Sequence, residues 1–212
     1  MTPIVYLHGF ASSPLSSKAQ FFRRRFEERG VEVLIPQLDG TDFANLTVTG
    51  QMTVLEGAVA GRRVVLMGSS LGGYLAALYA LQHPEEVEKL VLLAPALNFP
   101  ERFPQRFSAS DIVEWKSHGS KKFFHYGEKR EVELNYAIVE DARKYPILPE
   151  FRQPALILHG TRDEVVAPSI SQQFAEGHPN VQLRLLASGH ELTDVLEVLW
   201  SETETFLGFQ KP

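Results

Sequence analysis

Short apolar runs recur along the chain with room for about one helix between successive members. Residues 4–7, 31–35, 64–67, 90–93, 155–158 and 181–186 each read as a strand. Most are continuous rather than alternating, the pattern of parallel strands covered on both faces. The stretches between them carry helical signals. Ser17 and Gln20 have the spacing of a capping box, Phe22 and Phe26 sit one turn apart, and Gly30 suits a stop. Ser169 and Gln172 repeat the start signal, with Phe174 facing inward and Gly177 as the end. Leu192, Val195, Leu196, Leu199 and Phe206 fall on one helical stripe. Strands alternating with helices predict crossover units, hence an α/β fold in three layers around a mainly parallel sheet of about six strands.

One region breaks the alternation. Residues 98–149 contain no convincing core strand, several prolines and nine aromatic side chains. An unstructured loop of that length would be unusual, so the segment is expected to be a short helical insertion or lid, with extra packing over the sheet edge as the alternative. No repeat or low-complexity tract interrupts the remainder, and residues 1–212 are expected to form a single domain.

Composition narrows the function classes. The 212 residues carry a formal net charge of −5, which offers no electrostatic footprint for nucleic acid or an anionic membrane. With no cysteine there is neither a disulfide nor a thiolate metal site, which fits a reducing compartment. The longest apolar stretch, 90–97, is far short of a membrane span and contains Pro95. The opening residues resemble a strand rather than a signal peptide, so a cytoplasmic location is expected. No His-Glu-x-x-His pattern suggests a metal site, and the glycines at 68–73 lack the lysine of a phosphate loop.

Candidate chemistry begins at Gly68-Ser69-Ser70-Leu71-Gly72. A G-x-S-x-G match alone arises by chance in about one chain in fifteen of this length. Here its context is the informative part: a strand runs into the motif and a helix predicted from Leu71 to Gln82 runs out of it. That order is what a nucleophile elbow needs, because a sharp turn must aim the serine hydroxyl away from the sheet. Ser70 is therefore the candidate nucleophile, and Ser69 a small turn residue.

A serine hydroxyl is a weak nucleophile at neutral pH and needs a base to take its proton. Asp163 follows the 155–158 strand, and His190 follows the 181–186 strand, in the order serine, acid, histidine. His190 is assigned as base and Asp163 as the carboxylate that orients it, with Glu164 as the competing acid. His8, His83, His118, His125 and His178 lack that late strand-to-helix position. The backbone amides of Leu71 and Phe10 are assigned to an oxyanion hole, the latter because His8-Gly9-Phe10 forms the loop after the first strand. His8 is read as structural, and Ser12 and Ser13 as loop or cap residues.

Together, His8-Gly9-Phe10, the elbow at Gly68–Gly72, His159-Gly160-x-x-Asp163 and Gly189-His190 resemble the α/β-hydrolase superfamily over nearly the whole chain. Within it, the chain is similar to small bacterial serine esterases and to single-domain acyl-protein thioesterases. The resemblance implies hydrolysis of a small-molecule carboxylic ester or thioester by Ser70, Asp163 and His190, with no cofactor. It leaves open the acyl group, the alcohol and the oligomeric state. Two alternatives remain: the same triad acting on another bond (carbon–carbon hydrolysis, lyase or peptidase chemistry), or a catalytically silent binding protein of the same fold.

Overall fold

The six apolar runs pair side by side in one direction. The structure, a computed structural model, describes residues 1–209. In chain order it begins with β1 (Ile4–Leu7), α1 (Ser17–Glu27), β2 (Val33–Leu34), α2 (Val48–Val59), β3 (Val64–Ser69) and α3 (Leu71–Gln82). There follow β4 (Val87–Leu93), α4 (Phe99–Gln105), α5 (Ala109–His118), β5 (Ser120–His125), β6 (Arg130–Asn135) and α6 (Ala137–Ala142). The chain closes with β7 (Ala155–Gly160), α7 (Pro168–Gly177), β8 (Val181–Leu186) and α8 (Leu196–Leu207). The main sheet has the order β2-β1-β3-β4-β7-β8, with every neighbouring pair parallel.

Strand side chains alternate between two cores. Val5, Leu7, Leu66, Leu92 and Ile157 pack against α2, α3 and Phe174 of α7. Ile4, Tyr6, Met67, Val91 and Leu158 pack against Phe22 and Phe26 of α1 and against Leu199 and Trp200 of α8. A period of two in each strand thus supplies both faces and gives three layers. Helix α3 is buried from Leu71 to Ala80, as an element apolar all round must be.

Several expected boundaries shift. Of residues 31–35 only Val33–Leu34 is strand, because this edge strand pairs with β1 at two positions and Pro36 can offer no amide. The expected capping box at Ser17 does not form: Ser16 is the N-cap, Ser17 is already helical, and Gln20 donates to the Pro14 carbonyl at 2.8 Å. Similarly, α7 starts at Pro168 after Ala167, so Ser169 lies inside the helix. Pro168 has the φ that a first helical residue needs. Helix α2 was not foreseen; its glycines and threonines weaken the helical signal, yet Thr47 caps it by accepting from the Gly50 amide at 2.9 Å.

The 98–149 segment holds α4, α5 and α6, and between them an antiparallel hairpin of β5 and β6 outside the main sheet. Helical fragments alone therefore describe it incompletely. The Trp115 indole donates to the Leu134 carbonyl at 2.8 Å, fastening α5 to the hairpin. Asp141 accepts from the Thr49 amide and hydroxyl, both at 2.8 Å, which ties α6 to α2. Among the described residues, no helix is long and apolar enough to cross a membrane.

Candidate active site

Strand order places the site. After β1 the chain moves outward to β2, then returns on the other side of β1 to form β3. The loops leaving β1 and β3 therefore diverge, and a crevice opens at their carboxyl ends. One wall carries His8, Gly9 and Phe10; the other carries Ser69 and Ser70.

Ser70 sits at the turn between β3 and α3 with φ 54° and ψ −117°. A positive φ at a non-glycine residue costs about 1–3 kcal/mol and persists only where its surroundings hold it. Here the Ser70 amide donates to the Leu93 carbonyl at 2.9 Å, while the Ser70 carbonyl accepts from Gly73 at 2.9 Å and Ala96 at 3.0 Å. The turn also needs bare backbone beside it. A Cβ on Gly68 would lie 2.2 Å from the Gly72 carbonyl oxygen, and one on Gly72 would lie 2.2 Å from that of Leu7.

Three side chains distant in sequence meet at this turn. His190 Nε2 lies 3.0 Å from Ser70 Oγ, and His190 Nδ1 lies 2.7 Å from Asp163 Oδ2. The carboxylate can only accept, so Nδ1 carries the proton and the Nε2 lone pair faces the serine hydroxyl. Asp163 Oδ1 accepts from the Val165 and Val166 amides, each at 2.8 Å. Burial opposes ionisation of Asp163. Hydrogen bonds from His159, His190 and the Val166 amide, with the charge of His190, outweigh it and hold the carboxyl well below the usual range. Glu164, the competing acid, is exposed.

The second imidazole on Asp163 was not assigned from sequence. His159 is fully buried; its Nε2 lies 3.1 Å from Asp163 Oδ2 and 3.0 Å from the Val166 carbonyl. Both are acceptors, so Nε2 carries a proton, and in the neutral ring Nδ1 accepts from the Ser171 hydroxyl 2.8 Å away. His159 is thus a positioning residue that holds the carboxylate from behind. The one available signal was its place four residues before Asp163 in a second His-Gly step.

His8 takes the structural place expected for it. It is buried, its Nδ1 lies 3.0 Å from the Gly9 carbonyl, and its Nε2 accepts from the Leu38 amide at 3.4 Å. Burial lowers its pKa. Ser13 accepts from the Leu15 amide, as a loop residue does, and Ser12 lines the cavity. Ser69 is the last residue of β3 and is buried. Among the described residues, the Phe10 and Leu71 amides have no protein acceptor.

Two spaces meet at Ser70. A cavity of about 1100 Å³ is bordered by Ser70, His190, the α1 start, and side chains of the 98–149 segment. A slot of about 60 Å³ is bordered by Phe10, Ser70 and Leu71, with Ala96, Phe99, Phe103, Val166 and Ile170. The Phe10 ring packs on Phe103 and Phe123 at 5.2 and 5.5 Å between centroids, so the loop after β1 and the 98–149 segment share one aromatic cluster. Among the described residues, no group of three or more His, Asp or Glu side chains could hold a metal ion.

A six-stranded parallel sheet that delivers a serine on the turn into α3 is the α/β-hydrolase fold. Solved structures agree: Est1E from Butyrivibrio proteoclasticus, with ferulic acid bound, superposes with a TM-score of 0.84 at 20% identity, over 99% of this chain and 89% of that one. Alpha/beta hydrolase domain-containing protein 10 from mouse superposes with a TM-score of 0.79 at 22% identity, over 97% and 89%. The sequence itself is more specific: residues 3–206 match the model of the Uncharacterised protein family (UPF0227), and the chain belongs to that family. It is also similar to the alpha/beta hydrolase domain-containing protein WAV2 of Arabidopsis thaliana, 26% identical over 152 residues, 68% of this chain and 46% of that protein. The chain spans less than half the length of the curated relatives it matches.

Proposed function

We propose that this protein hydrolyses carboxylic esters or thioesters through an acyl-enzyme on Ser70. The observation that carries the reading is the continuous hydrogen-bonded chain from Ser70 through His190 to an ionised, amide-anchored Asp163. Ser70 Oγ attacks the carbonyl carbon while its proton passes to His190 Nε2, and Asp163 stabilises the imidazolium. The Phe10 and Leu71 amides receive the oxyanion; losing one such donor typically costs about 3–4 kcal/mol. Collapse breaks the acyl–oxygen or acyl–sulfur bond, and the imidazolium protonates the leaving group. Water, deprotonated by the same imidazole, then releases the acid and restores Ser70.

Proton delivery orients the substrate. The leaving group must face His190, which borders the large cavity and not the slot. The acyl group accordingly enters the slot, which Asn98, Arg102 and Arg106 border beside the apolar side chains and whose small size favours short chains. The 98–149 segment acts as a lid that walls the large cavity with Phe103, Phe107 and Phe123. In a series of p-nitrophenyl esters, acetate and butyrate are expected to turn over faster than octanoate. Ser70→Ala is expected to lower the rate by about 10⁴-fold or more; unchanged hydrolysis in that variant refutes the assignment.

A further inference from the structure

The large cavity has a polar end that the triad does not use. It lies where β1 hands over to α1 and is bordered by Tyr6, Ser16, Ser17, Lys18 and Glu191. Lys18 is only 8% exposed, yet among the described residues it forms no ion pair and no side-chain hydrogen bond. Lysine is almost never buried without a partner, because an ammonium taken out of water needs compensation. The nearby carboxylates do not supply it. Asp163 is already engaged by two amides and two imidazoles, and Glu191 sits exposed at the rim, so both attract Lys18 only across a distance.

A second positive feature converges on the same place. The Ser16 side chain does not cap α1, and no acidic residue occupies the first turn. Among the described residues the Ser17, Lys18 and Ala19 amides find no acceptor; that of Gln20 is the first to do so, at the Ser16 carbonyl 3.0 Å away. Unsatisfied amides at a helix start favour an anion. Arg106, Lys122 and Lys129 border the same cavity, which is therefore cationic in a chain whose net charge is −5.

We propose that this polar end binds an anionic group, carboxylate or phosphate, carried by the leaving-group half of the substrate, with Lys18 as its principal contact. Placing the anion on that half rests on the hydrolase reading; the anion site itself does not. A neutral ester satisfies the slot and the oxyanion donors but leaves the ammonium bare. An anionic one satisfies all three, so Lys18 selects among substrates without entering the bond-breaking step.

Three butyryl esters that differ only at the para position of a phenol leaving group provide the test: carbamoyl, carboxylate and phosphate. The unsubstituted protein is expected to favour at least one anionic ester over the carbamoyl ester by about tenfold or more in kcat/KM, the scale of a hydrogen bond to a charged group. Lys18→Met is expected to abolish that preference while changing the carbamoyl ester about threefold or less, and Lys18→Arg to keep it. Whichever anionic ester loses more identifies the anion. Equal rates for all three esters with the unsubstituted protein, or an equal loss on all three in Lys18→Met, overturns the proposal. Calorimetric binding of phenyl phosphate and benzoate to Ser70→Ala, with and without Lys18→Met, separates the two readings. Lys18-dependent binding without any ester turnover leaves the anion site standing and removes the hydrolase reading. Turnover of the esters with no Lys18-dependent binding removes the anion site alone.

Discussion

A largely buried lysine without a counter-ion loses its proton more readily than a free one, and Lys18 shows the effect. Burial pushes its pKa down to about 8 from the ordinary 10.5, against the attraction of Glu191 and Asp163. Below about pH 8 the folded and unfolded chains both hold this proton, and the folded state bears the full cost of the buried charge. Between about 8 and 10.5 the unfolded chain binds the proton more tightly, so this group makes stability rise with pH across that window. Urea unfolding should find Lys18→Met more stable than the unsubstituted protein near neutral pH, with an advantage that narrows by about pH 10. A difference independent of pH would mean that Lys18 is compensated in some other way. Little of this was legible beforehand. Ser70, Asp163 and His190 announce themselves through glycine spacing and strand order, whereas Lys18 and His159 acquire their surroundings only when α1 and β7 pack beside the crevice.

At the scale of elements, the elbow turns on two glycines whose hydrogens face carbonyl oxygens. Gly72→Ala would force a Cβ to 2.2 Å from the Leu7 carbonyl oxygen, where the neighbour is backbone of a buried strand and cannot swing aside. We expect a loss of about 3 kcal/mol or more, at the upper end of overpacking penalties, read as a lower urea midpoint; a midpoint unchanged from the parent would show that α3 can pull back from β1. The inner strands β1, β3 and β7 were readable because burial on both faces makes each a largely apolar run, and α3 because it is apolar throughout. The hairpin was not. β5 and β6 carry Lys121, Lys122, Glu131 and Glu133 on a largely exposed ribbon, so no apolar period marks them. Helix starts were misplaced where proline or backbone contacts, rather than a serine side chain, set the first turn.

For the molecule as a whole, one topological fact organises the chemistry: the order in which strands are added reverses between β1 and β3, so the loops after those two strands part and leave the crevice that Phe10, Ser70 and Leu71 share. β7 and β8 lie farther along the same sheet and deliver Asp163 and His190 from loops on the same edge. The 98–149 segment borders the cavity, with the Tyr126 amide donating to the Ala11 carbonyl at 2.8 Å so that the hairpin turn rests on the loop after β1. Acting together, these parts are expected to make the Ser70 hydroxyl nucleophilic. Reaction of the folded protein with a fluorophosphonate, followed by mass-spectrometric mapping of its peptides, tests that claim without any knowledge of the natural substrate. A single adduct on Ser70, absent from Ser70→Ala and formed far more slowly in His190→Ala, is the predicted result; no adduct on folded protein, or equal labelling of Ser70→Ala at another residue, would contradict it.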